Sequence, residues 1–289
     1  MKKLLILSGK GGTGKTTTAS AFIKFANAKA TADCDVDAPN LHIVSSFETD
    51  GEVSDFYGSD KSQIDQDKCI GCGQCYKNCH FDAIEKNGDK YSVSEYACEG
   101  CGVCTAVCPV GAAHMIPDVS GELKLYTGDK IFSTAKLKMG RGNSGKLVSA
   151  VKSAMNKAAD PSTELAIIDG SPGIGCPVIA SISGVDLILA VAEPSLSGLS
   201  DLKRILKTAE IFGVKTAVCV NKYDISLEKT EEISKFCQEN NIDFVGKIPY
   251  DKKASQAINA GKCLADFDCP AHDALKEIYE KAVNIIHAL

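Results

Sequence analysis

The amino-acid sequence predicts an α/β fold in which helices cover a mostly parallel sheet and a small cysteine-rich segment is inserted. Two observations lead to this prediction. Short apolar runs alternate with segments of helical periodicity over most of the 289 residues, a pattern typical of a parallel sheet buried on both faces. Between residues 60 and 118 the alternation stops, and cysteine and glycine replace aliphatic residues. We expect one domain made of residues 1–59 and 119–289, with residues 60–118 as the insertion.

Uninterrupted apolar runs predict the strands of the parallel sheet. They are residues 3–8, 165–170, 186–193, 215–222 and 243–250. The segments between and after these runs have apolar residues at helical spacing, so we expect them to pack on the sheet. Their inward faces are expected to include Phe22, Leu202, Ile205, Ile233, Leu275 and Ile278. Residues 121–133 are expected to form a hairpin that turns at residues 127–129 and returns the chain to the sheet.

The net charge and the cysteine content narrow the function classes. The formal net charge is −5 and no segment is rich in Lys and Arg, which argues against a nucleic-acid partner. The apolar N-terminus passes directly into glycines, so we expect a first strand there and no leader peptide. The last amphipathic segment lacks the basic polar face of a membrane-surface helix. Fourteen cysteines in such a chain indicate metal ligation or redox chemistry in a reducing compartment, and we expect a cytoplasmic protein.

A phosphate-binding loop follows the first predicted strand. Residues 9–16, GKGGTGKT, fit the pattern G-x-x-x-x-G-K-[ST] and open a predicted helix, which is the context this pattern requires. Lys15 is expected to reach the β and γ phosphates and the Thr16 hydroxyl to hold Mg²⁺. The expected nucleotide-binding residues of this loop are Gly9, Lys10, Gly11, Gly12, Thr13, Gly14, Lys15, Thr16 and Thr17.

A second run, GRGNSGKL at residues 140–147, fits only part of the same pattern. Leu147 replaces the hydroxyl residue that would hold Mg²⁺, and no apolar strand precedes the run. We interpret it as a helix start, with Asn143 or Ser144 as the N-cap and with Leu147, Val148 and Val151 on the buried face.

The sequence KGGTGKT resembles the deviant Walker A loop of the MinD and ParA ATPases and of the nitrogenase iron protein. The resemblance implies an ATPase in which Lys10 reaches across a nucleotide-bound homodimer to the phosphates of the other subunit, as an arginine finger does. It also implies that Asp169 holds Mg²⁺ through water and that Asp35 orients the attacking water. Two alternatives remain open: Lys10 is a solvated loop lysine, or one acid among Asp33, Asp35 and Asp37 caps a helix.

The base of the nucleotide is expected at two further segments. Residues 220–224, VNKYD, resemble the base-contacting segment of the same ATPases, with Asn221 as the partner of adenine. Pro249, Tyr250 and Asp251 stand where these ATPases close the base pocket. N-K-x-D also occurs in guanine-specific GTPases, so the preference for ATP over GTP depends on the resemblance.

Two cysteine runs in the insertion share the spacing C-x₂-C-x₂-C-x₃-C. This spacing is that of bacterial two-cluster ferredoxins, in which the fourth cysteine of each run binds the cluster of the other run. The resemblance implies two [4Fe–4S] clusters, and zinc is the competing metal. Cluster 1 would be held by Cys69, Cys72, Cys75 and Cys108, and cluster 2 by Cys79, Cys98, Cys101 and Cys104. A segment so poor in aliphatic residues is expected to need its iron to fold.

The other cysteines divide into two groups. Cys176 lies seven residues after Asp169, an offset at which the nitrogenase iron protein places a ligand of a cluster shared between subunits. Cys176 is therefore a candidate for such a site, and the alternative is a buried thiol beside a helix start. The remaining cysteines are expected in the core or in loops; they are Cys34, Cys219, Cys237, Cys263 and Cys269.

Three functions are compatible with this combination of motifs. In the first, ATP-dependent dimerisation gates electron transfer between the clusters and a redox partner protein. In the second, the protein carries an iron–sulfur or other metal cluster to accepting enzymes. In the third, it is a positioning or regulatory ATPase whose clusters are structural. The eight cysteines of the two runs favour the first, because fully cysteine-ligated clusters transfer electrons readily.

Overall fold

The computed structural model describes residues 1–44 and 50–289. The strands are β1 (Lys2–Leu7), β2 (Ala30–Asp33), β3 (Glu52–Tyr57), β4 (Lys61–Ile64), β5 (Ile84–Asn87), β6 (Lys90–Val93), β7 (Ala113–Ile116), β8 (Val119–Tyr126), β9 (Ile131–Leu137), β10 (Leu165–Asp169), β11 (Leu187–Ala192), β12 (Lys215–Asn221) and β13 (Asp243–Ile248). The helices are α1 (Lys15–Phe25), α2 (Gln74–Lys77), α3 (Val103–Val107), α4 (Ser144–Ala158), α5 (Cys176–Ile182), α6 (Leu196–Ile211), α7 (Leu227–Glu239), α8 (Lys252–Asn259) and α9 (Pro270–Ala288).

A nine-stranded sheet forms the centre of the molecule, in the order β13-β12-β11-β1-β10-β2-β9-β8-β3. The strands from β13 to β9 are parallel; β8 pairs antiparallel with β9, and the edge strand β3 pairs antiparallel with β8. The predicted mostly parallel α/β fold is therefore confirmed. The predicted hairpin is confirmed as well, since β8 and β9 are adjacent and Tyr126 pairs with Phe132. The edge strand β3 was not predicted, because five of its six residues are exposed and its apolar pattern is weak.

Helices cover both faces of the sheet, as a parallel sheet requires. One face packs against α4, α5, α6 and α7, and the other packs mainly against α1 and α9. The inward side chains predicted from helical spacing are buried; they are Phe22, Leu202, Ile205, Ile233, Leu275 and Ile278. At residues 143–147, Asn143 precedes the first residue of α4 as predicted, but its side chain does not cap the helix. No helix in the described ranges is both long and apolar enough to cross a membrane.

The insertion leaves the sheet after β3 and returns to it at β8. It contains two small antiparallel pairs, β4 with β7 and β5 with β6, together with the short helices α2 and α3. Ile64, Ile84, Ala112 and Ala113 form a small buried cluster with cysteine side chains. These strands were not predicted from sequence, since each has four residues and little apolar alternation.

Candidate nucleotide and cluster sites

The phosphate loop connects β1 to α1 at the carboxyl end of the parallel strands. Two of its glycines, Gly12 and Gly14, have φ angles of 79° and 95°, in the left-handed region that favours glycine. Gly14 also lies against the side chain of Asn221, and a Cβ at position 14 would come within 2.1 Å of the amide nitrogen. The sequence therefore keeps glycine here both for backbone conformation and for close approach of the neighbouring strand end.

Lys15, Thr16 and Asp169 meet at the start of α1. The Lys15 Nζ lies 2.6 Å from one carboxylate oxygen of Asp169, and the Thr16 hydroxyl donates to the other at 2.7 Å. Burial by itself would lower the pKa of the Lys15 ammonium, but the charge and hydrogen bond of Asp169 outweigh it and the pKa is raised. Lys15 is therefore charged, and the strand end at Asp169 brings a carboxylate directly to the loop.

Two acids at the carboxyl end of β2 differ in their surroundings: Asp33 is the last residue of the strand and Asp35 follows it. Asp33 is wholly buried, and its carboxylate accepts hydrogen bonds from the backbone N–H groups of Asp35, Asn40 and Leu41 at 3.0, 3.1 and 3.0 Å. Burial and the charge of Asp169 raise its pKa to about 7. Asp35 is only partly buried; burial raises its pKa although the charge of Lys15 opposes this. Asp33 thus anchors the segment that leads to the short helix at residues 41–44, while Asp35 faces Lys15.

Lys10 is paired with a glutamate that the sequence analysis missed. Its Nζ lies 2.9 Å from one carboxylate oxygen of Glu193, and the other oxygen lies 2.9 Å from the Nζ of Lys222. Lys222 also donates to the Gly12 carbonyl at 3.0 Å. Burial would raise the pKa of Glu193, but the hydrogen bonds from the two lysines lower it. Glu193 therefore holds two lysines at the rim of the loop, a role that only the three-dimensional proximity of β11 and β12 reveals.

A pocket beside the loop contains the residues expected at the base. Its lining includes Asn221, Pro249, Tyr250 and Asp251, together with loop and α1 residues. The Asn221 amide donates to the Thr13 carbonyl at 2.7 Å, and the backbone N–H of Tyr250 donates to Asp224 at 2.7 Å. These bonds join the two segments expected at the nucleotide base, residues 220–224 and residues 249–251, to each other and to the phosphate loop.

The residues of this site fit a magnesium nucleotide. The Thr13 hydroxyl is buried in the loop and, within the described part of the chain, belongs to the few buried side-chain atoms without a hydrogen-bond partner. Gly9 to Thr17 offer backbone N–H groups around it, and the Thr16 hydroxyl and the Asp169 carboxylate provide the oxygen ligands that Mg²⁺ prefers. When bound, Mg²⁺ would neutralise charge on the phosphates.

The cysteines of the two runs come together in the insertion. Cys75 and Cys104, one from each run, are buried in the same cluster, and Cys69, Cys79 and Cys108 pack against it. Backbone N–H groups point at the sulfur atoms in matching positions: Ala83 N lies 3.4 Å from the Cys79 sulfur, and Ala112 N lies 3.2 Å from the Cys108 sulfur. Such bonds stabilise thiolate ligands and tune the metal that they hold.

The donor set consists of eight cysteines in two runs, which fits the all-thiolate ligation of [4Fe–4S] clusters. Among the described residues, no three Cys, His, Asp or Glu side chains converge closely enough to hold one ion. Zinc needs four ligands at about 2.3 Å from one point, whereas a [4Fe–4S] cluster separates its thiolates more widely. Cys72, Cys98 and Cys101 complete the two runs, with Cys98 buried and the other two exposed.

The positions of the cysteines outside the insertion agree with those predicted from sequence, with one correction. The five expected in the core or in loops are buried: Cys34, Cys219, Cys237, Cys263 and Cys269. Cys176 is the first residue of α5, as the helix-start alternative proposed, but it is exposed. The alternative that its thiol is buried is therefore wrong, because α5 begins at the surface.

Comparisons with known proteins agree with the description of the sheet domain and of the cysteine-rich insertion. Residues 62–115 match a family described as a 4Fe-4S dicluster domain. An uncharacterized protein of Methanocaldococcus jannaschii is 34% identical over 98% of this chain and 97% of its own length. The iron-sulfur cluster carrier protein of Pyrococcus horikoshii is 26% identical, with 98% of this chain and 85% of that protein covered.

The fold has relatives among solved structures. The cell division ATPase MinD of Pyrococcus furiosus superposes with a TM-score of 0.57 over 98% of this chain and 99% of its own, at 16% identity. The match shows the arrangement of strands and helices on which the phosphate loop is built. The chain thus belongs to the same family as the uncharacterized protein of Methanocaldococcus jannaschii; it has the fold of the MinD-type ATPases and contains a 4Fe-4S dicluster domain at residues 62–115.

Proposed function

We propose that the protein is a Mg²⁺-dependent ATPase in which ATP-dependent pairing of two copies is coupled to electron transfer through two [4Fe–4S] clusters. The observation that carries the electron-transfer part is that Cys75 and Cys104, from different cysteine runs, lie in one buried cluster of side chains. Ligands that are so close support two neighbouring clusters. When bound, such clusters supply one-electron transfer.

The residues of the nucleotide site have separate roles in this proposal. Lys15 and the backbone of the loop hold the phosphates, Thr16 and Asp169 hold Mg²⁺, and Asp35 orients the attacking water. The base lies against the pocket beside Asn221, between α1 and residues 249–251. We expect ATP rather than GTP, and a cytoplasmic location.

The second copy is expected to bind at the face that contains Lys10. The side chain of Lys10 is 38% exposed, so it is accessible to a partner. An apolar side chain near it, Leu196, is 72% exposed, and Ile174, in the segment that follows Asp169, is 45% exposed. Leu196 precedes Ser197, whose hydroxyl lies 3.4 Å from the Lys10 Nζ. Exposed apolar residues beside a functional cation support a protein interface at this face.

Replacing Lys10 tests the dimer. Lys10→Ala should abolish ATP-dependent dimerisation and most ATP turnover, because a cation that acts on the partner's phosphates contributes about 10³ to 10⁵ in rate. Nucleotide affinity of the monomer should change little. The matched control is Lys215→Ala, which removes an exposed ion pair to Asp243 at the opposite end of the sheet. Sizing chromatography with a slowly hydrolysed ATP analogue measures the result; equal dimer formation by the Lys10 variant contradicts the proposal.

The redox coupling has its own test. Anaerobically purified protein is examined by electron paramagnetic resonance with and without ATP and Mg²⁺. Coupling predicts that the nucleotide changes the reduction potential or the line shape of the clusters. Identical spectra and potentials, in protein that has bound ATP, contradict an electron-transfer role that ATP controls.

A second candidate function is delivery of a cluster to an accepting protein. Two findings favour it: relatives are named iron-sulfur cluster carrier proteins, and Cys176 is an exposed thiol at the start of α5. Delivery predicts transfer of iron to an apo-acceptor while the clusters of the insertion are retained. Cys176→Ser should abolish that transfer, whereas the electron-transfer function should not depend on this thiol.

A further inference from the structure

Residues 138–145, called here the loop at residues 138–145, connect β9 to α4 and include the first two residues of that helix; they contact the insertion on one side. This loop contains most of the run that fits only part of the phosphate-binding pattern. The Arg141 guanidinium is only 6% exposed; its Nε lies 3.0 Å from a carboxylate oxygen of Asp118, and it also pairs with the carboxylate of Glu95. A second bond, of 2.9 Å, joins Arg141 to the Glu95 carbonyl. Arg141 thus binds two separate segments of the insertion. One contains Glu95, three residues before Cys98, and the other contains Asp118, directly before β8.

Two more contacts join the same loop to the second cysteine run. Asn143, which does not cap α4, instead exchanges hydrogen bonds with the Ser59 hydroxyl at 3.1 and 3.3 Å. Ser59 in turn lies against Gly100, between Cys98 and Cys101. The Gly140 backbone packs on the Tyr96 ring, where a Cβ would meet the ring at 3.2 Å. All these contacts end within a few residues of Cys98.

The other side of the loop touches the segment that follows Asp169. Gly145 packs on the backbone of Cys176, and a Cβ at position 145 would lie 3.3 Å from the Cys176 carbonyl oxygen. That segment is attached to the phosphate loop as well, since Gly173 N donates to the Ser8 carbonyl at 3.0 Å. Residues 170–176 therefore lie between the nucleotide site and the loop at residues 138–145.

We infer that the loop at residues 138–145 is a mechanical joint: it transmits nucleotide-dependent movement of residues 170–176 to the second cysteine run, with Arg141 as the positioning residue on the insertion. The inference rests on the proposed function, and it adds the structural element that couples the two sites. The joint can transmit small shifts because α4 behind it is fixed by the fully buried Leu147 and Val148, and packed elements move as units.

Hydrogen exchange on the iron-loaded full chain tests the joint. ATP with Mg²⁺ should change the exchange rates of residues 94–100 in the wild type by about fivefold or more, the lower range of coupling between sites. Arg141→Gln should abolish most of this change while ATP binding stays intact. The control is Lys146→Gln, which removes an equal charge from the exposed first turn of α4 and should keep the wild-type response. An unchanged response in Arg141→Gln overturns the inference.

A second readout uses the reciprocity of coupled sites. If ATP shifts the reduction equilibrium of the protein by some factor, reduction must change the ATP dissociation constant by the same factor. That factor should fall to about one in Arg141→Gln. The iron content of Arg141→Gln shows whether its clusters are loaded. If this variant loses iron, the same measurement is made on Ser59→Ala, which removes one hydroxyl and should reduce the coupling factor between ATP binding and reduction. A wild type without any coupling overturns the proposed function and the joint together, whereas coupling that survives in both variants overturns the joint alone.

Discussion

The nine-stranded sheet and the insertion bury their side chains to different extents. In the sheet, Leu4, Ile6, Ile167 and Ile168 are completely buried between helices on both faces. The insertion buries only a small group of aliphatic side chains, and half-buried cysteines surround it. The hydrophobic effect is roughly proportional to apolar area removed from water, so it stabilises the sheet far more than the insertion. The insertion is expected to depend on bonds between thiolates and iron instead.

Removal of iron should increase the difference in stability between the sheet and the insertion more than any other change. Anaerobic chelation should abolish hydrogen-exchange protection in residues 60–118, because the small aliphatic cluster cannot offset the conformational entropy of the segment. The strands β1, β10 and β11 should keep their protection. Exchange measured by mass spectrometry, before and after chelation, reports both regions in one sample. Persistent protection in the iron-free insertion would show that its apolar cluster is sufficient.

Replacement of a single buried thiol tests whether the insertion depends on its iron ligands. Cys104 is 8% exposed, and its thiol donates to the Ser62 hydroxyl at 3.0 Å. Cys104→Ser should reduce the iron content by about half or more, since loss of one ligand releases a [4Fe–4S] cluster. Cys269→Ser is the control: this residue is also buried, but it precedes α9, where serine is a favourable N-cap. Metal analysis for iron and zinc measures both; equal iron in the two variants would exclude Cys104 as a ligand.

The strands of the sheet were predictable from sequence for a physical reason. A strand buried on both faces, such as β11, has to be apolar at every position, and this produces a continuous run. The strands β5 and β6 bury little and leave no comparable pattern, so their pairing emerges only from the structure. The chain also passes from β2 to β9 across the whole insertion, a separation that no local pattern encodes.

The candidate site was predictable where chemistry requires a fixed residue type at a fixed spacing. The phosphate loop from Gly9 to Thr17 is of this kind, and so are the cysteine runs. Glu193 and Arg141 could not be found in this way, because their partners lie on distant segments and their local sequences carry no motif. The run at residues 140–147 illustrates the difference: Gly140 packs closely against Tyr96, and Gly145 packs closely against Cys176.

A large-to-small substitution in the sheet domain should have an intermediate effect. Phe22 is completely buried on α1 and makes an edge-to-face contact of 5.2 Å with Tyr279 of α9. Phe22→Ala should lower the free energy of unfolding of the sheet domain by about 3–5 kcal/mol, through lost burial and the cavity left behind. Iron content should stay unchanged. Urea unfolding followed by exchange in β1 measures the loss, and simultaneous loss of iron would mean that the two regions unfold as one unit.

The smallest expected effect concerns how helices begin in the two regions. The helix α7 starts at Ser226, whose hydroxyl accepts the N–H of Lys229 at 3.3 Å. The insertion helices α2 and α3 instead start at Gly73 and Gly102, which lack a capping side chain and have positive φ angles. Ser226→Ala should therefore cost about 1 kcal/mol of stability in the sheet domain.

The matched substitution in the insertion is Gly102→Ala. Its cost arises from strain, because an L side chain is disfavoured at the φ of 75° that Gly102 adopts. A Cβ at this position would meet no neighbouring atom within 4 Å, so steric overlap with the rest of the chain does not contribute. Denaturation monitored at α7 should respond only to Ser226→Ala, and the rate of iron loss to a chelator should respond only to Gly102→Ala. If Ser226→Ala also accelerated iron loss, the sheet domain would be supporting the insertion, and the two regions would not be stabilised independently.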